Sequence, residues 1–195
     1  MDDIVRQALA KWPNVPHCTG WLLLDRRGAW RLRDDAAQAA SELGSPIRHA
    51  ALNAFIGRNY ACDAQGQWFF QNGPQRVYVE LAYTPWVVRL VERDGQLALT
   101  DQTGAPFEPD AAWLDDGGGV LFRDAGAPPR IAALHDHDLG LFADHADFDT
   151  EPPVLRWRDG RTLPLGSIAC ADVPKRFGYI VSPARHARDA ADSGN

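Results

Sequence analysis

The chain has 195 residues, of which 26 are acidic and 20 are basic, and 45% of its residues are apolar. This composition is typical of a folded globular protein and excludes the disordered and fibrous classes. The net charge of −6 repels phosphate backbones, so we expect no nucleic-acid partner. Three cysteines, Cys18, Cys62 and Cys170, lie too far apart to indicate a disulfide framework or a zinc motif.

The sequence predicts a cytoplasmic protein that does not contact a membrane. No apolar run approaches the roughly 20 residues that a membrane helix requires. The first residues, Met1 to Ile4, are acidic, whereas a secretory signal begins with basic residues. Lys11 and Lys175 are the only lysines among the basic residues, and this arginine bias favours a GC-rich bacterial source.

The first predicted unit is a helix followed by a β-hairpin. Apolar residues at helical spacing predict a helix over residues 2–11, which Pro13 ends. Two apolar strands, 21–24 and 29–33, flank a turn at residues 25–28 and predict the hairpin.

The second predicted unit repeats this order. Ser45 is placed to cap a helix that extends to about Asn59, and a hairpin turns at residues 63–66. The pattern Asp-x-x-Gly-x-Trp occurs at 25–30 and again at 63–68. It indicates either a unit used twice or two independent turns of the same chemistry, because Asp and Gly favour tight turns.

The remaining sequence predicts further antiparallel strands. Strands are expected at 76–81, 86–91 and 97–100, and again at several places beyond the Pro- and Gly-rich stretch 101–110, the last of them a short strand at 179–181. We therefore predict an α+β fold with two helix–β-hairpin units, a β-rich second half and a mostly antiparallel sheet. The expected domains are an N-terminal subdomain at 1–104, a C-terminal subdomain at 105–182 and a disordered tail at 183–195.

The densest group of metal-ligand residue types lies between residues 135 and 149. It includes His135, His137, His145, Asp144 and Asp147, and imidazole and carboxylate groups are ligands of zinc, iron and manganese. Their spacing fits neither a single helix nor a single strand, and a solvated acidic segment is the simpler interpretation. We therefore assign no metal site and no cofactor. We also assign no catalytic residue, because no serine or cysteine has the sequence context of a nucleophile.

A second candidate is the hairpin around Asn72-Gly73, where polar side chains surround a rigid turn beside three aromatic residues. We predict that Trp68, Gln71, Asn72 and Arg76 form a surface that binds a ligand or a partner. The alternative is an ordinary hairpin whose aromatic residues pack into the core.

The segment Gly66-Gln67-Trp68-Phe69-Phe70-Gln71-Asn72-Gly73-Pro74-Gln75-Arg76-Val77-Tyr78-Val79 follows Trp12-Pro13-Asn14-Val15-Pro16-His17-Cys18. With Arg48-His49-Ala50-Ala51 between them, these segments resemble a family of uncharacterised proteobacterial proteins, a domain of unknown function common in Burkholderia-like bacteria. The resemblance is specific through about the first 90 residues and implies a source and a compartment. It implies no catalytic residue.

The sequence therefore favours a non-enzymatic module that binds a small molecule or a protein and has a regulatory role. The alternative is a metal-dependent hydrolase that uses the 135–149 segment. A homodimer paired through exposed hairpin edges is a third hypothesis.

Overall fold

The computed structural model describes residues 1–193, in which the chain forms fifteen β-strands, six α-helices and two 3-10 helices. In chain order these are α1 (Asp3–Lys11), β1 (Cys18–Leu24), β2 (Trp30–Leu32), α2 (Asp35–Ala39), β3 (Ser45–Pro46), α3 (Ala50–Arg58), β4 (Tyr60–Cys62), β5 (Trp68–Asn72), β6 (Gln75–Leu81), β7 (Trp86–Arg93), β8 (Gln96–Asp101), β9 (Pro106–Phe107), β10 (Pro109–Asp115), β11 (Val120–Asp124), β12 (Ile131–Leu134), a 3-10 helix (Asp136–Asp138), α4 (Leu139–His145), β13 (Ala146–Asp147), β14 (Val154–Arg156), β15 (Thr162–Ile168), a 3-10 helix (Cys170–Asp172), α5 (Val173–Phe177) and α6 (Pro183–Ser193).

The chain divides into two units. Unit 1 contains Met1–Asp25, Ala29–Tyr83 and Gly178–Asn195, and unit 2 contains Arg26–Gly28 and Thr84–Phe177. The division therefore follows Tyr83, whereas the sequence predicts it near residue 105. The breaks at 101–110 are short connections between strands of one sheet, and such turns have the same Pro and Gly signals as a linker.

Each unit contains one mixed sheet. The sheet of unit 1 has the order β3-β2-β1-β6-β5-β4, and that of unit 2 has the order β13-β14-β15-β10-β11-β12-β7-β8-β9. The strands form three-stranded antiparallel meanders, β1–β3 and β4–β6 in unit 1 and β7–β9, β10–β12 and β13–β15 in unit 2. The last strand of a meander pairs in parallel with the first strand of the preceding one in the same sheet: β6 with β1, β12 with β7, and β15 with β10.

This arrangement confirms the α+β class and the mainly antiparallel pairing. The two helix–β-hairpin units and the β-rich second half are also roughly consistent with it, and the structure adds that the same meander recurs in both units. The helices differ between the meanders, so the strand pattern is the part that repeats.

The repeated Asp-x-x-Gly pattern is explained by turn chemistry. The carboxylates of Asp25, Asp63, Asp101 and Asp115 each accept the backbone N–H four residues further on, at 2.7–3.2 Å. The glycine three residues after each aspartate has φ between +77° and +86°, which L side chains rarely adopt. The turns that begin at Asp101 and Asp115 have no Trp two residues after the glycine. The aspartate and the glycine are therefore sufficient to form the turn, and Trp is not required.

Consecutive residues of β1, β5 and β6 are buried, so both faces of the sheet of unit 1 are covered, and one face carries a cluster of aromatic rings. The ring centroids of Trp30 and Tyr60 are 5.1 Å apart, although three strands separate β2 from β4 in the sheet. The sheet therefore curls, and Phe70 on the same face packs edge-on against Phe55 of α3. In unit 2 the core includes Phe107, Phe122 and Leu155, all fully buried, and each such side chain stabilises the fold by roughly 1.5–3 kcal/mol.

Three local predictions need correction. The second helix begins at Ala50, after His49 as its N-cap, because Ser45 and Pro46 pair with β2 as an edge strand. Residues 179–181 form no strand, although the Val181 carbonyl accepts the N–H of Leu81. The segment 183–193, expected to be disordered, forms helix α6, and residues 194 and 195 of that expectation lie outside the described residues.

Along the described chain, every helix is too short or too polar to cross a membrane.

Candidate functional site

Helix α2 is closed at both ends by its own side chains and backbone. The Asp34 carboxylate accepts the N–H of Ala37 at 2.8 Å, which caps the first turn. At the other end the Glu42 N–H binds the Ala37 carbonyl at 2.8 Å, and Ser41 has φ +56°. This is a Schellman motif with serine where glycine is usual. It turns the chain so that Ser41 and Glu42 line two adjoining cavities.

Helix α6 begins against strand β6. The buried Glu80 accepts the N–H of Ala184 at 3.0 Å, and the Ser182 hydroxyl accepts the N–H of Arg185 at 3.2 Å. These two bonds satisfy donors that the first turn of a helix leaves free. They also hold Arg185 and Arg188, three residues apart, along one side of the helix.

The space between α2, α6 and the sheet is a cavity of about 240 Å³, which we call the arginine cavity. Its polar lining includes Arg33, Gln38, Ser41, Glu80, Arg185 and Arg188. Gly20 also lines the cavity, and a Cβ added at this position would lie 2.3 Å from the Gln38 Oε1 atom. The missing side chain of Gly20 therefore lets the Gln38 carboxamide lie against β1.

The charges in the arginine cavity are not balanced by the protein. Arg33 donates to the carbonyls of Glu42 and Ala37, at 2.9 and 3.4 Å. The guanidinium groups of Arg185 and Arg188 have no hydrogen bond or ion pair within residues 1–193. Guanidinium groups bind carboxylate and phosphate oxygens through paired N–H donors, so the cavity is suited to an anion.

The adjoining cavity is a more open groove of about 580 Å³, which we call the leucine groove. Its apolar lining includes Leu32 and Leu43, which are 52% and 48% exposed. Asp34 and Glu42 give it acidic edges.

The structure separates the four residues that the sequence assigns to a hairpin surface. Trp68 and Asn72 lie on one face of β5, whereas Gln71 lies on the other face, opposite Arg76 of β6. Trp68 is half-buried, with its ring 4.7 Å from that of Tyr60, and Asn72 is exposed. The four side chains therefore do not form one continuous surface.

Gln71 and Arg76 are used within the fold. Gln71 is fully buried and donates to the Gly73 carbonyl at 2.9 Å, and its Oε1 has no partner among the described residues. The Arg76 guanidinium lies 4.5 Å from the centre of the Phe69 ring. Both contacts stabilise the hairpin.

The three histidines of the 135–149 segment do not form one group: the rings of His135 and His137 lie 4.8 Å apart, but His145 is held elsewhere. His135 is buried, and its Nδ1 accepts the His137 N–H at 3.2 Å. Burial lowers the pKa of His135, and the charge of Arg89 lowers it further. His145 instead faces Glu92, with 3.6 Å between Nε2 and Oε2, and the Asp147 carboxylate pairs with Arg156 at 3.6 Å.

Within residues 1–193, the one group of three ligand atoms close enough for a metal is that of Asp115, Asp116 and Cys170. Asp115 already accepts the N–H groups of Gly117 and Gly119, and Asp116 accepts the N–H of Cys170. These contacts organise a turn, so the cluster has a structural explanation without an ion.

The sequence could have indicated the arginine cavity in part. Pro183 suits a first helical position, and arginines at 185 and 188 have helical spacing. The segment 183–193 consists mainly of small and polar residues, which predicted disorder instead of a helix. That Arg33 lies beside Arg185 and Arg188 depends on tertiary structure and has no signal in the sequence.

Residues 1–184 match the model of family DUF2944, which carries the description "Protein of unknown function (DUF2946)". The chain belongs to this family. The match confirms the resemblance to a domain of unknown function and extends it over both units, whereas the proteobacterial source stays a prediction. Arg185 and Arg188 lie just beyond the matched residues.

The DUF2944 chain is similar to two solved structures of DUF1285 family proteins. One, from Silicibacter pomeroyi DSS-3, has a TM-score of 0.52 and 14% identity, covering 86% of this chain and 97% of that chain. The other, from Shewanella baltica OS155, has a TM-score of 0.41 and 13% identity, covering 64% of this chain and 91% of that chain. The first similarity shows the fold alone. No curated protein matches the chain.

Proposed function

We propose that unit 1 is a non-enzymatic binding module and that its arginine cavity binds a small anion. The observation that carries this proposal is the pair Arg185 and Arg188, exposed arginines that line the cavity with Arg33 and have no ion pair among the described residues. Against these three arginines the lining has two glutamates, Glu42 and Glu80, so it keeps an excess of positive charge that an anionic ligand would neutralise.

The same cavity supports binding more than catalysis. The residues that line it within the described chain include no histidine or cysteine. The Ser182 hydroxyl accepts a backbone N–H, and the cavity has no histidine to activate it or Ser41 as a nucleophile. A binding role is also what the sequence favours.

The test is calorimetric titration of the full chain with inorganic phosphate and with acetate. We expect saturable binding that weakens about tenfold or more in the Arg185→Ala/Arg188→Ala double variant, because each charge-assisted hydrogen bond contributes about 1.5–3 kcal/mol.

The matched control is Arg6→Ala/Arg48→Ala, which removes the same charge from two exposed arginines of unit 1 outside the cavity. It should leave the affinity within about twofold, since distant exposed charges are screened by salt. Absence of saturable binding of both anions, or equal loss in both double variants, would overturn the proposal.

A further inference from the structure

We infer that the ligand is an amphiphilic anion whose charged head lies in the arginine cavity and whose apolar chain lies in the leucine groove. This inference rests on the proposed function. The two cavities adjoin at the C-terminal turn of α2, because Ser41 and Glu42 line both of them. A ligand held by its head in one cavity can therefore extend into the other.

The sizes of the two cavities support a ligand with two parts. The arginine cavity, at about 240 Å³, is smaller than the roughly 300–1,000 Å³ typical of small-molecule sites, whereas the leucine groove, at about 580 Å³, lies within that range. The arginine cavity alone has room for a head group. The remaining volume lies in the groove.

The lining of the groove favours an apolar chain. Leu32 and Leu43 are each about half exposed, together with Ala36 in the same lining. Leu32 is the last residue of β2 and pairs with Ser45 of the edge strand β3. A ligand chain would remove this apolar surface from water, which is the usual source of affinity in such grooves.

The charges fix the orientation of the ligand. Asp34 lines only the leucine groove and repels an anionic head there, whereas Glu42 lines both cavities and does not distinguish them. The three arginines attract it in the neighbouring cavity. The head and the chain therefore have only one favourable arrangement.

The test is a calorimetric series of acetate, butanoate, hexanoate and octanoate on the full chain. We expect the affinity to rise by about two- to fourfold for each added CH2 group, because each one buries apolar surface. Leu32→Ser/Leu43→Ser should remove this increase. The control Leu52→Ser, at an exposed leucine of α3 outside the groove, should keep the increase.

Two further measurements keep the test independent of variant folding. Octanoate bound to the unaltered protein should give nuclear Overhauser contacts from its terminal methyl group to the Leu32 and Leu43 methyl groups. Hexanoate should bind more tightly than hexanedioate, whose second carboxylate would face Asp34 in the groove. Tighter binding of the dianion, or an affinity independent of chain length, would overturn the inference while acetate binding still supported the anion site. Failure of both acetate and phosphate to bind would instead overturn the proposed function.

Discussion

Arg130 donates from Nη1 to the Asp101 carboxylate at 2.6 Å and joins two turns of unit 2. Its Nε donates to Asp124 at 2.6 Å, and Asp101 and Asp124 are the capping aspartates of the β8–β9 and β11–β12 turns. The guanidinium also lies 4.8 Å from the centre of the Phe107 ring. One side chain thus neutralises two buried carboxylates and covers part of the core.

Arg130→Lys should lower the free energy of unfolding by about 2–4 kcal/mol, because a single ammonium cannot reach both carboxylates and leaves one of them buried and unpaired. Urea unfolding of both proteins measures this difference. The control is Arg158→Lys, whose ion pair with Glu108 is exposed and should change stability by less than about 1 kcal/mol. Equal effects of the two substitutions would show that the bridge between the turns is not important.

Gly66→Ala should destabilise unit 1 much more than its turn conformation alone explains. Gly66 has φ +82°, and a Cβ there would lie 2.3 Å from the Gly178 carbonyl oxygen, a backbone atom. Gly104 has φ +86° with nothing within 4 Å of its Cβ position. Gly104→Ala should therefore cost about 1–2 kcal/mol for the left-handed backbone, and Gly66→Ala about 1–3 kcal/mol more for the clash. Thermal unfolding of both variants checks this, and equal losses would argue against the close approach.

Asp138 should make stability depend on pH in the acidic range. Burial alone would raise the pKa of Asp138, but hydrogen bonds from the Arg89 side chain and the Leu90 N–H outweigh it and hold the pKa below its usual value. A lowered folded-state pKa gives stability that is present above about pH 4 and is lost as the pH falls through the folded value.

At pH 7, Asp138→Asn should therefore be less stable than the unaltered protein by about 1–3 kcal/mol. The difference should shrink as the pH falls below about 4. Urea unfolding across pH measures it. The control Asp144→Asn, at an exposed carboxylate with no ion pair among the described residues, should change the stability at pH 7 by less than about 0.5 kcal/mol. A gap that is constant with pH would contradict the role of the Asp138 charge.

Cys62 should react slowly with alkylating agents although it is exposed. Partial burial of the thiol, together with the neighbouring charge of Asp63, raises the pKa of Cys62 to about 11 from a usual 9.0. At pH 8 this leaves about a hundredfold less thiolate, the reactive form.

The rate of iodoacetamide labelling is measured against pH in a Cys18→Ser/Cys170→Ser background, in which only Cys62 can react. We expect the labelling rate to increase with pH, and the midpoint of this increase to lie near pH 11. A midpoint near the value of a free thiol, about 8.5, would show that Cys62 is not shielded.

The hairpins were predictable because their signals are local. The apolar run 21–24 and the alternation in 29–33, with an Asp-x-x-Gly turn between them, predict β1 and β2, and the structure has them at Cys18–Leu24 and Trp30–Leu32. The parallel partners were not predictable in this way. Leu22 pairs with Val79, and no pattern within either strand specifies a partner so distant in sequence.

The candidate site shows the same limit. The hairpin of Trp68 and Arg76 was prominent in sequence because its polar and aromatic residues are adjacent, but alternation places them on opposite faces. The arginine cavity joins Arg33, Glu80 and Arg185 from three separate segments.

A cytoplasmic location and a homodimer stay predictions.

By itself the sequence determined the α+β class, most hairpins and their Asp-Gly turns, because these depend on interactions between residues a few positions apart. Tertiary structure alone decided the parallel pairing of the meanders, the return of α6 to unit 1 and the meeting of three arginines around one cavity. Those features depend on which distant surfaces can be buried together, and burial is a property of the whole folded chain that no single segment encodes.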